Sequence, residues 1–310
     1  MPQHPVSPHL NEAKTLGQFW EAEYLPRAKR NKSKSSADTE TTMYRKWLQP
    51  LIDMPLNDIS HLDLERYVML PMQKAEKSPR TIRYALDTFS MVWNTAKLLN
   101  VTSGDNPCQK IKKPQQDNQR DRFLTKTEAA DLLKALLRRS VDTHDLALLS
   151  LFSGLRAGEC QALTWADIDM EHGTIFVKDP KNKQNRHAYI TAEVRKMLKR
   201  RYVGQTKAEF VLPGANGEAC KWGVSNTFSR TVENLGLNDG ITDRRQKVVF
   251  HTLRHTFASW LVQMGTPLYT VSKLMGHRNL KMTMRYAHLA PDTHKMAVAQ
   301  LEGLLNNQNF

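Results

Sequence analysis

His251-Thr252-Leu253-Arg254-His255-Thr256-Phe257-Ala258 is the stretch on which the reading of this chain turns. It sets a histidine and an arginine three residues apart, which puts them on one face of a helix. Upstream lies Ser153-Gly154-Leu155-Arg156-Ala157-Gly158-Glu159, and downstream come Gly276-His277 and Tyr286-Ala287-His288-Leu289. With Lys181 between them, these stretches supply Arg156, Lys181, His251, Arg254, His277 and Tyr286. Taken singly each is ordinary: an arginine is most often a surface residue, a histidine a satisfied helix end, a tyrosine a core or surface aromatic. Taken together, in this order, they are residue types suited to a site that would act on a phosphodiester.

The chemistry explains why these residue types are needed. A phosphodiester is anionic and resists attack until the charge on its non-bridging oxygens is neutralised. Arg156 and Arg254 suit that task, because a guanidinium presents a planar fork of donors and stays charged. Arg156 follows the Gly154 turn near the start of a helix, whose backbone N–H groups also favour anions, and Glu159 buttresses that turn. A tyrosine of pKa ~10 is a poor nucleophile unless a base and a positive field assist it. Tyr286 is the candidate nucleophile, His251 the group that accepts its proton or orients its hydroxyl, and His277 a donor to a non-bridging oxygen. Met282 and Met284 are expected to pack into the core. His255 and His288 lie nearby, but no H-E-x-x-H pattern or suitably spaced carboxylate accompanies them, so no metal is expected. There is no GxxxxGK[ST] either, and no cofactor is expected.

The set resembles the tyrosine recombinases, the family of phage integrases and chromosome-dimer resolvases, with the strongest likeness over about residues 124–290. The resemblance implies that Tyr286 forms a covalent 3′-phosphotyrosine and that a lysine between two strands, ahead of an arginine entering the second, protonates the leaving 5′ oxygen. Lys181, five residues before Arg186, fits best, with Lys183 and Lys178 as alternatives. It further implies a clamp around double-stranded DNA sites, with four protomers exchanging strands through a Holliday junction. Accessory DNA-bending or directionality factors would assist. The expected role is integration or excision of a mobile element or prophage. A dimer resolvase or invertase is the second reading; a type IB topoisomerase and a non-catalytic DNA-binding regulator stand behind it.

Composition agrees with a polyanionic partner. The 310 residues carry a net charge of +14 and a pI near 9.7, a balance suited to nucleic acid. Residues 1–119 hold 17 basic and 13 acidic groups and residues 120–310 hold 28 and 18, so both halves are expected to touch DNA. Arg80, Arg83, Lys178 and Arg244 are candidate DNA contacts. Cys108, Cys160 and Cys220 are widely spaced and outside any CxxC, which points to a reducing cytosol. No signal peptide or run of ~20 apolar residues is seen, so a cytoplasmic, nucleoid-associated protein without a membrane partner is expected.

The expected fold class is mainly α with a small antiparallel β-sheet: an all-helical N-terminal core-binding domain and an α+β catalytic domain. Residues 1–11 are read as disordered, 12–108 as the helical DNA-binding domain, 109–121 as linker, 122–290 as the catalytic domain, and 291–310 as a tail that packs on a neighbouring protomer. In the first domain Leu16, Phe19, Trp20 and Leu25 share a helical face, residues 27–36 read as a basic loop, and 39–52 as a second helix. Pro79 opens a long helix over 78–100 with an apolar stripe from Ile82 to Leu99. In the second, Thr125 and Glu128 form a capping box before a helix burying Leu132, Leu133, Leu136 and Leu137. Residues 173–178 and 186–190 read as a hairpin, and helices follow near 192–201, 223–235, 252–264, 267–275 and 280–288, with Gly265 and Gly276 as stops.

Overall fold

The computed structural model describes residues 14–114, 122–178, 185–214, 216–218 and 225–291. Lys181 and Lys183, Cys220, the first eleven residues and the tail from 292 lie outside them. The chain divides into two compact units, Met1–Asp117 and Asn118–Phe310.

The first unit is all-helical: α1 (Leu16–Phe19), α2 (Leu25–Asn31), α3 (Lys34–Met43), α4 (His61–Leu64), α5 (Leu70–Lys74) and α6 (Pro79–Leu98). Wider π turns at Trp20–Tyr24, Tyr44–Leu48 and Glu65–Met69 continue α1, α3 and α4 and bury Trp20, Tyr24, Tyr44, Leu48 and Val68. Trp20 stacks on Tyr44 with ring centroids 4.0 Å apart and planes 2° from parallel. Helix α6 is the central post. Ser78 caps it, Pro79 occupies its first turn, and Ile82, Leu86, Phe89, Val92, Trp93 and Ala96 are buried along one stripe. Arg80 and Arg83 stand on its exposed face.

The stretch 27–36 is not a loop. Arg27 to Asn31 continue α2, burying Ala28, and only Lys32 and Ser33 break the helix. Ala, Arg and Lys are good helix formers, and Ser33 acts as the N-cap of α3 rather than as loop filler. Asn106 closes the unit by bonding Ser90 and Asn94 on α6. Beyond it, Ile111 is buried in the helical core and Lys113 lies 2.6 Å from Asp87, so the stretch read as linker begins inside this unit.

The second unit comprises α7 (Lys126–Arg139), α8 (Val141–Ser153), α9 (Ala157–Ala162), β1 (Ile168–Asp169), β2 (Thr174–Val177), β3 (Arg186–Tyr189), α10 (Ala192–Arg201), α11 (Ser225–Asn234), α12 (Phe250–Gln263) and α13 (Leu268–Met275). The Thr125–Glu128 capping box closes in both directions, at 2.8 and 3.1 Å. Leu132 and Leu136 are buried as expected, whereas Leu137 is exposed. Helix α8 is buried on nearly every side from Leu146 to Leu151, which makes it the core around which α7, α10 and α12 pack. The sheet is an antiparallel meander in the order β1-β2-β3. Its register pairs Val177 with Arg186 and Thr174 with Tyr189. Strand β1, two residues long, is too short to carry a period-2 signal.

After α13 the chain runs through two 3₁₀ turns, Leu280–Met282 and Met284–Leu289, instead of one helix. Met282 and Met284 are about half exposed, 48% and 52%, and not core residues. The tight turns keep Thr283 and Tyr286 buried and leave Met282 and Met284 outside.

Candidate active site

Two helix stops and one buried arginine build the floor of the site. Helix α8 ends at Gly154, with φ +65°, and α13 at Gly276, with φ +61°. Both positions need glycine twice over. The left-handed backbone disfavours a side chain. A Cβ at Gly154 would meet the Phe257 ring at 2.5 Å, and one at Gly276 would meet Arg186 Cδ at 2.7 Å. The turns leave helix-end carbonyls facing inward, and Arg254 on α12 donates to two of them, Gly154 O and Met275 O. A guanidinium placed there satisfies two orphan acceptors and the negative ends of two helix dipoles. It also fixes, on either side of itself, the loops that carry Arg156 and His277.

Arg254 is 1% exposed. Burial, and the charge of Arg156 beside it, lower its pKa to about 9, while Glu159 opposes the shift; it remains a cation at neutral pH. Glu159 is the shared counter-ion. Its carboxylate accepts from Arg156 Nη1 at 2.7 Å and from the Arg156 backbone N–H at 2.8 Å. Arg186, brought over by the first residue of β3, donates to it in a fork at 3.0 and 2.7 Å, and Arg254 Nη1 stands 3.7 Å away. Burial works against ionisation of Glu159, but Arg186, the Arg156 backbone N–H and Arg254 outweigh it and hold its pKa at about 2. Three guanidiniums around one carboxylate leave surplus positive charge.

That surplus borders a cavity of about 420 Å³ lined by Arg156, His251, Arg254, His277 and Tyr286 together. Five of the six residues singled out in the sequence thus meet at one place. The sixth, Lys181, lies outside the described residues, as does its alternative Lys183. Lys178, the third alternative, follows β2 and pairs with Asp167 at 2.6 Å. Arg244 is exposed, as are Arg80 and Arg83 in the first unit.

His277 bonds Thr283 Oγ1 through Nδ1 at 2.8 Å, and Thr283 is fully buried. Burial first, then the Arg254, Arg156, Arg186 and Arg285 charges, lower the His277 pKa to about 4, so the ring is neutral at physiological pH. Tyr286 is 5% exposed and packs against Val262, Val271 and Met275. Burial pushes its pKa up to about 12, and Arg285 and Arg254 act against that rise.

The hydrogen bond to the Tyr286 hydroxyl is made by His255 Nδ1, at 2.5 Å. The sequence reading gave that contact to His251, one helical turn earlier. His251 is exposed and lines the same cavity, with its ring edge-on to His255 at 4.7 Å between centroids. The i, i+4 spacing puts both histidines on one face of α12, and the deeper of the two reaches the tyrosine. Lys281 and Arg285 also line the cavity and were not singled out. Arg285, next to the tyrosine, has its guanidinium 6.0 Å from the Tyr286 ring centroid. Among the described residues no group of three or more His, Cys, Asp or Glu side chains is arranged to hold a metal ion.

Residues 122–293 match the model of the phage integrase family, more than half of the chain. The chain belongs to that family. The chain is 27% identical over 253 residues to a tyrosine recombinase of Pseudothermotoga lettingae, covering 80% of this chain and 85% of the relative. It is 26% identical to the shufflon-specific DNA recombinase of Escherichia coli across 77% of this chain, but spans 60% of that protein's length. Against tyrosine recombinase XerA of Saccharolobus solfataricus the identity is 36% over half of this chain and 48% of the relative. Two solved structures share the integrase fold. The Tn1549 transposon integrase in complex with transposon right end DNA gives a TM-score of 0.73 at 21% identity, covering 94% of this chain and 99% of that one. A lambda integrase tetramer bound to a Holliday junction gives 0.72 at 16%, covering 94% and 82%.

Proposed function

We propose that this family member is a site-specific DNA recombinase that cuts and rejoins double-stranded DNA through Tyr286, for integration or excision of a mobile element. The observation that carries the proposal is the convergence of Arg156, His251, Arg254, His277 and Tyr286, drawn from distant parts of the sequence, on one positively charged cavity.

In this reading the scissile phosphate sits among the guanidiniums, where Arg156 and Arg254 compensate the charge that grows on its non-bridging oxygens. Glu159 holds both arginines in place, and its own charge is already spent on three partners. Neutral His277 donates to a non-bridging oxygen, with its ring orientation set by Thr283. Tyr286 attacks phosphorus, a 3′-phosphotyrosine forms, and the 5′ oxygen leaves with a proton from Lys181. The bond energy is kept in the phosphotyrosine, so rejoining needs no nucleotide cofactor. Four protomers on two sites exchange strands through a Holliday junction, with accessory DNA-bending or directionality factors, in the cytoplasm at the nucleoid. The tetramer in the lambda integrase structure supports the assembly. The helical unit, with Arg80 and Arg83 exposed on α6, contributes phosphate contacts together with Lys178 and Arg244. Among the described residues no helix is long and apolar enough to cross a membrane.

Trapping covalent complexes on nicked fragments of the source genome tests the proposal. An adduct on Tyr286 at one recurrent sequence is expected. Adducts at many unrelated sequences would replace the recombinase by a topoisomerase, and DNA binding without any adduct would leave a regulator.

A further inference from the structure

We infer that Arg285 is the cation that stabilises the Tyr286 phenolate: its guanidinium compensates the negative charge that grows on the tyrosine oxygen as it attacks phosphorus, and again as it leaves on rejoining. The inference deepens the proposed function and rests on Tyr286 being the nucleophile.

Three observations carry it. First, Arg285 directly precedes Tyr286 in the 3₁₀ turn Met284–Leu289, and both side chains line the cavity that holds Arg156, Arg254 and His277. Its guanidinium carbon stands 6.0 Å from the centroid of the Tyr286 ring, at the outer edge of the range over which an aromatic face attracts a cation. Second, the segment that bears both residues is tied down. Tyr286 N–H donates to Thr283 O at 2.9 Å, and Thr283 Oγ1 bonds His277 Nδ1 at 2.8 Å. A charge set in place beforehand needs little reorganisation at the moment of reaction. Third, the other guanidiniums have different work. Glu159 engages Arg156 and Arg186, and Arg254 is held by Gly154 O and Met275 O. In the proposed reading Arg156 and Arg254 serve the non-bridging oxygens, whereas the attacking oxygen belongs to the tyrosine itself. Arg285 travels with that oxygen, one residue away.

The electrostatics agree with the geometry. Burial pushes the Tyr286 pKa up to about 12, and of the charges acting against that rise Arg285 comes first and Arg254 second. A guanidinium suits the role because it stays charged and does not compete for the phenol's proton. A full charge at this distance attracts a phenolate far more than a neutral phenol. Its effect therefore appears in the transition state and not in the resting site.

The step balances with no proton on or off Arg285. Oη supplies the electron pair for the new Oη–P bond, and the P–O5′ bond breaks with its pair left on the 5′ oxygen. The Oη proton passes to an imidazole of the cavity, His251 in the reading of the sequence, and the 5′ oxygen takes its proton from Lys181. Rejoining reverses each transfer, with the phenolate as leaving group beside the same guanidinium.

The test pairs Arg285→Gln and Arg285→Lys with trifluorotyrosine at position 286, whose fluorines make the phenol more acidic. Single-turnover cleavage of a nicked duplex by R285Q at saturating protein should fall on the order of 10- to 100-fold, and R285K, which keeps the charge, should recover most of the loss. With the fluorinated phenol the R285Q defect should shrink to within about threefold, because an acidic phenol needs less help to carry charge. A full R285Q defect that persists with the fluorinated phenol would overturn the inference, as would wild-type rates in R285Q. A loss that vanishes at saturating protein would also overturn it, by making Arg285 a DNA contact only. Should R285Q fail to fold, R285K and the fluorinated protein keep the test: a folded R285K with the loss expected of R285Q would show that shape and not charge matters. Wild-type protein that forms no adduct on Tyr286 would instead refute the reading of the site itself.

Discussion

Tyr24 and Tyr286 are equally hidden, 3% and 5% exposed, and each hydroxyl is hydrogen-bonded by side chains, yet the two environments point to opposite uses. In the first unit Tyr24 donates to Glu40 at 3.1 Å, and Lys32 bonds both, at 3.0 Å to the hydroxyl and 2.7 Å to the carboxylate. Burial and then the Glu40 charge raise its pKa beyond any physiological relevance. A phenol beside a carboxylate that is matched by one lysine is a structural post. In the second unit the Tyr286 hydroxyl shares a hydrogen bond with an imidazole among arginines, and the Arg285 and Arg254 charges work against the burial that raises its pKa. The carboxylates differ in the same way: among the described residues Glu40 has one cationic partner and Glu159 has three. A balanced buried network stabilises; an unbalanced one keeps positive charge in reserve for an anion.

Substitution of the two tyrosines should break the comparison most sharply. Tyr286→Phe should abolish covalent adducts while leaving DNA retention intact, and Tyr24→Phe should leave adduct formation unchanged; cleavage of a nicked duplex by each variant decides. Next in size is Arg254→Ala, which removes a phosphate ligand and strands two helix-end carbonyls and part of the Glu159 charge. Cleavage should drop by about 10²–10³, and denaturant unfolding should show a loss of about 3–5 kcal/mol.

Acid titration sharpens the contrast. The folded-state pKa of Glu159 is depressed to about 2. Its contribution, about 3 kcal/mol, is present above the usual carboxylate pKa and lost as pH falls from there towards 2. Thermal melts of Glu159→Gln should lack that acid limb. His277, with its pKa lowered to about 4, is harder to protonate folded than unfolded. Stability should therefore fall by up to about 3 kcal/mol as pH drops from 6.5 to 4, and His277→Gln should flatten the curve in that window. Smaller still is the cost of Tyr24→Phe to the helical unit, about 1–2 kcal/mol for one hydrogen bond to a charged partner, read from unfolding curves. The least effect is expected from Arg80→Ala, which should lower the slope of log affinity against log salt by about 0.9.

Much of this was legible in the sequence because it is encoded locally. The apolar stripe of α6 follows from 3.6-residue spacing, the start of α7 from Thr125 and Glu128, and the ends of α8 and α13 from Gly154 and Gly276. Errors arose where local signals compete. Arg27 to Ser36 carries loop-like charge and serine, yet its helix formers win and Ser33 becomes a cap. Met282 and Met284 have a core composition, but the 3₁₀ turns rotate them outward. His251 and His255 share a helix face, and spacing does not say which ring lies deeper.

By itself the amino-acid sequence determined most of the helices, the hairpin, the glycine stops and five of the residues that gather at the site, since periodicity, caps and glycine turns act within a few residues. Only the tertiary structure decided which partners those residues find: Glu159 among Arg156, Arg186 and Arg254, Arg254 on the carbonyls of two helices, and the Tyr286 hydroxyl on His255. Those pairings join residues as many as a hundred positions apart. Burial then sets their charge states, because desolvation and the sum of neighbouring charges exist only once the chain has closed around them.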